Sequence, residues 1–352
     1  MDFNSYAYQR PEIDQMAEGF KKSLEAFEAA TTFEEATRAF ENIADLRSEF
    51  STMYNLAHIR HTINTKDDFY EEEQNYFDKN GPKFQDLVSQ FYKLLVASPF
   101  KEALKKQWGD QLFVIAELSL KTFEPSILED LQEENKLRSA YVKIKAGASI
   151  EFRGESYNLS ALVPFNIHED RSIRKESAEK KWAFYASKQE EMEEIFGKLV
   201  KVRNRIAQKL GYKNFVQLGY NRMLRSDYNA EDVAFYRQQI LEHVVPVATK
   251  LYERQKQRIG VDKLKHYDSS FSFKSGNPTP KGEPEWIIDQ AKKMYAELSQ
   301  ETKEFFNFML DNKLMDLVNK EGKATGGYCT YCLLYTSPSP RDATLSRMPS
   351  SA

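Results

Sequence analysis

A chain of 352 residues with 41% hydrophobic and 13% aromatic residues is long enough to bury a sizeable core, as one large domain or two ordinary ones. Its 50 Lys and Arg nearly balance 53 Asp and Glu, giving a net charge of −3, and no segment is basic enough to suggest a nucleic-acid partner. The start MDFNSYAYQRPEIDQM has no basic stretch leading into an apolar run, no segment reaches the ~18 apolar residues of a membrane span, and Cys329 and Cys332 alone cannot form a disulfide framework, so a soluble cytoplasmic protein is expected.

From Glu12 to about Glu134 the text is mostly amphipathic helix. Met16, Phe20, Leu24 and Phe27 recur at spacings of four, four and three, which places one apolar stripe on a helix face. Thr31 or Thr32 supplies an N-cap for the next helix, with Glu34 or Glu35 placed to complete a capping box. Asn80-Gly81-Pro82 and Ser98-Pro99 read as breaks between further helices, because proline removes a backbone donor and crowds the preceding turn. Residues 1–145 are therefore expected to form an antiparallel helical array.

At Ala146 the texture changes. Ile150 and Phe152 alternate with polar neighbours, Arg153-Gly154-Glu155 reads as a turn, and Tyr157 and Leu159 resume the alternation, predicting a β-hairpin near 148–160. Asp170 caps a helical run that continues to Gly211 and is expected to be one long helix of roughly forty residues. Asn229 caps a further helix reaching about Arg258, with Asp232 in its first turn and Pro246 kinking or dividing it. Ser269–Trp286 is loop, Glu285 to about Leu317 is helix, and VNKEGKATGGYCTY has the glycine turn and Tyr/Thr content of an incoming strand. The fold class is mainly α, with 146–331 forming a second region and 332–352 a tail.

Phosphate-binding strings are missing: neither G-x-G-x-x-G nor the P-loop occurs. The five histidines are His58, His61, His168, His243 and His266. His58 and His61 share a helix face, but with no carboxylate at a set spacing they fit core or surface positions better than a metal site. His168-Glu169 resembles the start of H-E-x-x-H, yet position 172 is Ser, so the second ligand is missing and Asp170 reads as a helix cap. The clusters FYEEEQNYF and KQEEMEEIF read as solvated helix faces. Cys329 reads as a half-buried strand cysteine rather than a nucleophile.

Several stretches taken in order, FNSYAYQRPEID, RHTINTKDDFYEEEQNYFD, IEFRGESYNLSALVPF, LGYKNFVQLGYNRMLRSDYN and above all GKATGGYCTY, resemble the zinc oligopeptidases of the thimet oligopeptidase and oligoendopeptidase F type. The resemblance covers about residues 1–331 and points to the oligoendopeptidase F-like branch. It implies a largely helical body divided by a deep channel, with zinc held by the two histidines of H-E-x-x-H and a glutamate from the following helix. The motif's own glutamate would deprotonate a zinc-bound water to cleave short peptides. None of those four residues is in this sequence, so the chain is expected to carry no catalytic or metal residue, to bind no zinc, and to be inactive alone.

The family's Gly-Gly-Tyr-Cys-Thr strand precedes the metal-binding helix, and the resemblance assigns Gly326, Gly327 and Tyr328 to substrate binding. Peptides would add there as an extra strand through backbone hydrogen bonds. A turn followed by a strand that only packs explains the same residues. After Tyr331 the pattern stops. CLLYTSPSPRDATLSRMPSSA contains no Lys and no Glu and resembles translated adapter sequence, with a natural disordered tail as the alternative. On the first reading the parent is cut just before its metal-binding helix and the C-x-x-C is an accident of the junction. A non-catalytic helical scaffold that binds peptides or proteins is the rival function.

Overall fold

The computed structural model describes residues 2–330. Tyr331, Cys332 and the rest of the tail through Ala352 lie outside the described residues. In chain order the α-helices are α1 (Ile13–Glu28), α2 (Phe33–Ile63), α3 (Asp68–Ala97), α4 (Lys101–Trp108), α5 (Asp110–Leu120) and α6 (Leu128–Ala146). The hairpin β1 (Ile150–Phe152) and β2 (Glu155–Tyr157) follows. Then come α7 (Arg171–Ser187), α8 (Gln189–Lys209), α9 (Phe215–Arg222), α10 (Ala230–Gln239), α11 (Val245–Ile259), α12 (Pro284–Leu298) and α13 (Gln300–Asp311). No described helix is long and apolar enough to cross a membrane. The described residues gather into two compact units built from non-consecutive segments: 2–8, Gly147–Ser187 and His243–Lys323 in one, Gln9–Ala146, Lys188–Glu242 and 324–330 in the other.

In the second of these units, α1 buries Ile13, Met16, Phe20, Leu24 and Phe27, the stripe read from its spacing. Phe20 and Phe27 meet α3 edge-on through Phe84 and Phe91, with centroids 5.7 and 5.9 Å apart, and Phe50 of α2 stacks on Phe84 at 3.9 Å. Helix α2 opens on a complete capping box: Thr32 accepts from the Glu35 amide at 3.2 Å, and the Glu35 carboxylate accepts from the Thr32 amide at 3.3 Å. A second core joins Phe123, Ile127 and Leu131 to Val202, Ile206, Ala207 and Leu218, seating α8 and α9 on α6.

Helix α3 runs straight through Asn80-Gly81-Pro82, against the expected break. Pro82 has no N–H to give the Asp78 carbonyl, but Asn135 of α6 donates its side-chain amide there at 3.2 Å, and Gln132 donates to the Lys79 carbonyl at 2.6 Å. Donors from a neighbouring helix replace the lost bond, and Gly81 removes the clash that proline imposes on the residue before it. Ser98-Pro99 does end α3 at Ala97.

In the other unit, β1 and β2 pair antiparallel with Ile150 opposite Tyr157 and Phe152 opposite Glu155. Arg153 and Gly154 turn the corner at φ +53° and +85°, the left-handed pair that suits a tight hairpin, so Glu155 belongs to β2 rather than to the turn. One face packs Ile150 and Phe152 against Ala148, Leu159 and Leu162. Arg174 of α7, 2% exposed, lies beneath and bonds the carboxylate of Asp268, 0% exposed, at 2.9 Å.

Two helical expectations need correction, and the division expected at Pro246 is found. The run from Asp170 to Gly211 is two helices: Lys188 sits at φ −108°, ψ 8° between α7 and α8, where the chain leaves one unit for the other. The run from Glu285 is also two helices, divided at Ser299, whose extended backbone and hydroxyl cap α13 through the Thr302 amide at 3.2 Å. Between α10 and α11 the chain widens into a π-helical stretch, Ile240–Val244, immediately before Pro246, which accommodates the missing donor without ending the helical path. The expected strand over 318–330 does not form among the described residues. The Ala324 amide instead donates to the Thr62 carbonyl at the end of α2, at 2.9 Å, so the segment is tethered to a helix terminus rather than to a ladder.

Candidate functional site

Residues 324–330 run beside the C-terminal turns of α2, in the same unit. Tyr328 is 55% exposed, and its hydroxyl shares a 2.5 Å hydrogen bond with the Thr62 hydroxyl, which itself donates to the Ile59 carbonyl at 2.9 Å. With that Thr62 proton committed, the phenol supplies the proton of the shorter bond. The Tyr328 ring lies 5.6 Å from the His58 ring, and His58 stacks on Tyr54 at 5.8 Å with the planes 8° apart.

Behind His58 runs a line of polar side chains. Gln74 donates through Nε2 to Asp78 Oδ1 at 2.9 Å, so its Oε1, 3.0 Å from His58 Nδ1, is the acceptor and His58 carries a proton on Nδ1. Ser139 of α6 donates to Asp78 Oδ2 at 2.6 Å. Gln74 and Asp78 are buried, so each lost hydrogen bond would leave a polar atom without water. His61, one turn from His58, is also buried; burial first, and then the His58 charge, hold its pKa below the ordinary imidazole value. Burial likewise raises the Tyr54 phenol.

Of the three residues assigned to substrate binding, Gly326 has φ +98°, a conformation L side chains rarely adopt, and nothing lies within 4 Å of where a Cβ would sit on Gly326 or Gly327. Cys329, expected half-buried, is exposed.

The remaining chemical candidates resolve into structure. His168 precedes α7 and accepts the Asp170 amide at 3.0 Å through Nδ1, while Asp170 caps the helix through the Ser172 amide at 2.8 Å. Among the described residues no three His, Cys, Asp or Glu converge on a point that could hold a metal, so the residues present do not fit a zinc ion. The cluster KQEEMEEIF is solvated, but FYEEEQNYF is not uniformly so. Glu73, 1% exposed, takes a bidentate guanidinium from Arg10 at 2.5 and 3.0 Å, a partner its neighbours in sequence do not reveal. Sequence reasoning also missed the His58–Gln74–Asp78–Ser139 line. Gln74 and Asp78 stand four apart on one helix face, which was the available signal.

Residues 3–123 match the peptidase M3 N-terminal domain. A solved structure described as PZ peptidase A with inhibitor 2 is 51% identical with a TM-score of 0.94, covering 95% of this chain and 60% of its own. A putative oligoendopeptidase F from Bacillus anthracis is 51% identical with a TM-score of 0.93, covering 95% of this chain and 62% of its own. Another putative oligoendopeptidase F is 49% identical with a TM-score of 0.94. This chain thus spans about three-fifths of the length of the solved proteins it matches. No curated protein matches.

Proposed function

Since residues 3–123 belong to the peptidase M3 family as its N-terminal domain, and the described chain has the fold of oligoendopeptidase F-like proteins, we propose that it is part of a zinc-dependent metalloendopeptidase that hydrolyses short peptides in the cytoplasm. What carries the reading is the match over 95% of the chain at 51% identity. In the whole protein zinc would be held by residues this chain does not contain and would activate the attacking water; this chain's own residues contribute to holding the peptide. Residues 326–330, in neither helix nor strand, are the segment to which a peptide would add as a strand, a mode that binds peptides regardless of side chain. Tyr328, fixed by Thr62 and leaning on His58, keeps that backbone in place.

The chain by itself has neither the H-E-x-x-H ligands nor their general base and is inactive. Purified protein is to be incubated with an internally quenched peptide, with zinc and with a chelator, and peptide binding followed separately by fluorescence anisotropy. Expected are no chelator-sensitive cleavage, and binding that weakens on Tyr328→Ala or Gly327→Pro. Zinc-dependent cleavage overturns the inactivity; binding indifferent to both substitutions overturns the assignment of the peptide site.

A further inference from the structure

The polar line behind His58 has a direction. Ser139 Oγ and Gln74 Nε2 both donate to the Asp78 carboxylate, which turns the Gln74 carbonyl oxygen toward His58 Nδ1. A flipped Gln74 amide would set its carbonyl against that carboxylate, and both side chains are buried, so no water relieves the clash. In a neutral imidazole one nitrogen donates and the other accepts, so the proton held on Nδ1 leaves a lone pair on Nε2. No described residue donates to that nitrogen. Side chains from α2, α3 and α6 thus fix one tautomer of a single ring that is only half-buried.

The ring stands beside the peptide segment, 5.6 Å from the Tyr328 ring, and its stack on Tyr54 at 5.8 Å restrains its rotation. A strand added to 326–330 turns half of its N–H groups away from that segment, and each of these needs another acceptor or water. We propose, resting on the reading of 326–330 as the peptide segment, that His58 Nε2 accepts a hydrogen bond from one backbone N–H of the bound peptide. The substrate class is then a peptide with an unsubstituted amide at that place, and an N-alkylated residue there is disfavoured. The Gln74–Asp78–Ser139 line holds the imidazole in its accepting form. A second proton would make Nε2 a donor, so the contact is lost in acid. The charged groups that reach the neighbouring His61 and Tyr54 are His58 itself, Glu71 and Asp78 of α3, and Arg138 and Lys143 of α6. Glu71 and Lys143 pair with each other, which leaves Asp78 as the negative charge on the line.

The test uses residues 1–352 and a fluorescein-labelled, N-acetylated peptide of alternating Ala and Gly, whose side chains carry no donor, together with versions in which each amide in turn is N-methylated. Fluorescence anisotropy reads affinity, and circular dichroism reports that each variant keeps its helicity. One N-methylation is expected to cost the native chain about fivefold, the worth of one net hydrogen bond, and to cost His58→Phe nothing. Native affinity should also fall between about pH 8 and about pH 5. Gln74→Glu, which sets a carboxylate beside Nδ1 and favours the charged ring, should move the midpoint of that fall up by about 1 pH unit, and His61→Gln should leave it in place. Should His58→Phe not fold, the Gln74→Glu shift decides. Identical N-methylation losses in the native chain and His58→Phe overturn the proposal, as does a midpoint that Gln74→Glu does not move. Binding weakened by Gly327→Pro but indifferent to His58→Phe removes this contact and keeps the peptide segment. Binding indifferent to both Gly327→Pro and Tyr328→Ala, or no binding at all, removes both.

Discussion

Replacing Asp268 by Asn removes the charge around which one unit is tied. The carboxylate is 0% exposed and accepts from Arg171 Nε at 3.1 Å, Arg171 Nη2 at 2.7 Å, Arg174 Nη2 at 2.9 Å and the Lys265 amide at 3.0 Å. Arg174 is itself 2% exposed, stacks 4.0 Å from the Phe271 ring, and donates to the carbonyls of His168 and Glu169 ahead of α7. Asp268→Asn therefore strands a buried guanidinium, and losing one partner of a buried pair costs about 3–5 kcal/mol. Arg171 is 42% exposed on its side chain, so Arg171→Ala costs less, about 1 kcal/mol after solvent screening. Burial pushes the Asp268 pKa up, but hydrogen bonds from Arg171 and Arg174 outweigh it and hold the group below its ordinary value of 3.8. A carboxylate lowered in the folded state adds stability that is complete at neutral pH and is lost only as pH falls below that ordinary value towards the folded one. Urea denaturation at neutral pH and in a series below pH 4 measures both effects. Asp268→Asn should lower stability at neutral pH and flatten the acid dependence; Arg174→Met should cost a similar amount, and the double variant less than the sum. A neutral-pH loss under 0.5 kcal/mol, or single effects that simply add, refutes the reasoning.

Phe20 of α1 is fully buried with its ring edge-on to Phe84 of α3, and Phe20→Ala should cost about 3–5 kcal/mol by denaturant midpoint, the range for emptying an aromatic core site. Asn135→Leu should cost about 1 kcal/mol by leaving the Asp78 carbonyl without its donor, and Pro82→Ala, which restores the helix's own N–H, should recover part of that loss in the same assay. Tyr328→Phe should leave the melt within ~0.5 kcal/mol while deuterium uptake over 324–330 rises several-fold, because the bond to Thr62 is removed; unchanged uptake would show that the hydroxyl does not hold the segment.

Features that depend on a few neighbouring residues could be read from the sequence. The α1 stripe, the Thr32–Glu35 and Asn229–Asp232 capping boxes and the Arg153-Gly154 turn all come from helix period or local cap and turn chemistry. Pro82 reads as a break because its remedy, Asn135, lies 57 residues beyond Asp78, whose carbonyl it satisfies. Glu73 looked solvated for the same reason, since Arg10 is 63 residues away. The break at Lys188 has strong helix formers on both sides and is set by the chain's passage between units, which leaves no compositional mark. Ser299 did leave a signal, a serine three residues before Thr302, but with threonine in place of Glu or Gln it is an incomplete capping box.

The candidate site divides along the same line. Gly326 is legible because φ +98° is a demand on one residue, and glycine meets it. The strand expected around it was not, since β propensity describes how a segment suits a pleated surface and says nothing of whether a partner strand is present. Tyr328 is held by Thr62, 266 residues earlier, and the line from His58 through Gln74 and Asp78 to Ser139 joins three helices. A hydroxyl pair across such a separation costs loop-closure entropy that grows only slowly with length, so distance in sequence is no bar to the contact. What decides it is the one turn of α2 that carries both His58 and Thr62, four residues apart on one helix face, and that helix is held to α3 by the stack of Phe50 on Phe84. The tyrosine latch therefore depends on α2, and a substitution that loosens that helix acts on residues 324–330 without touching them.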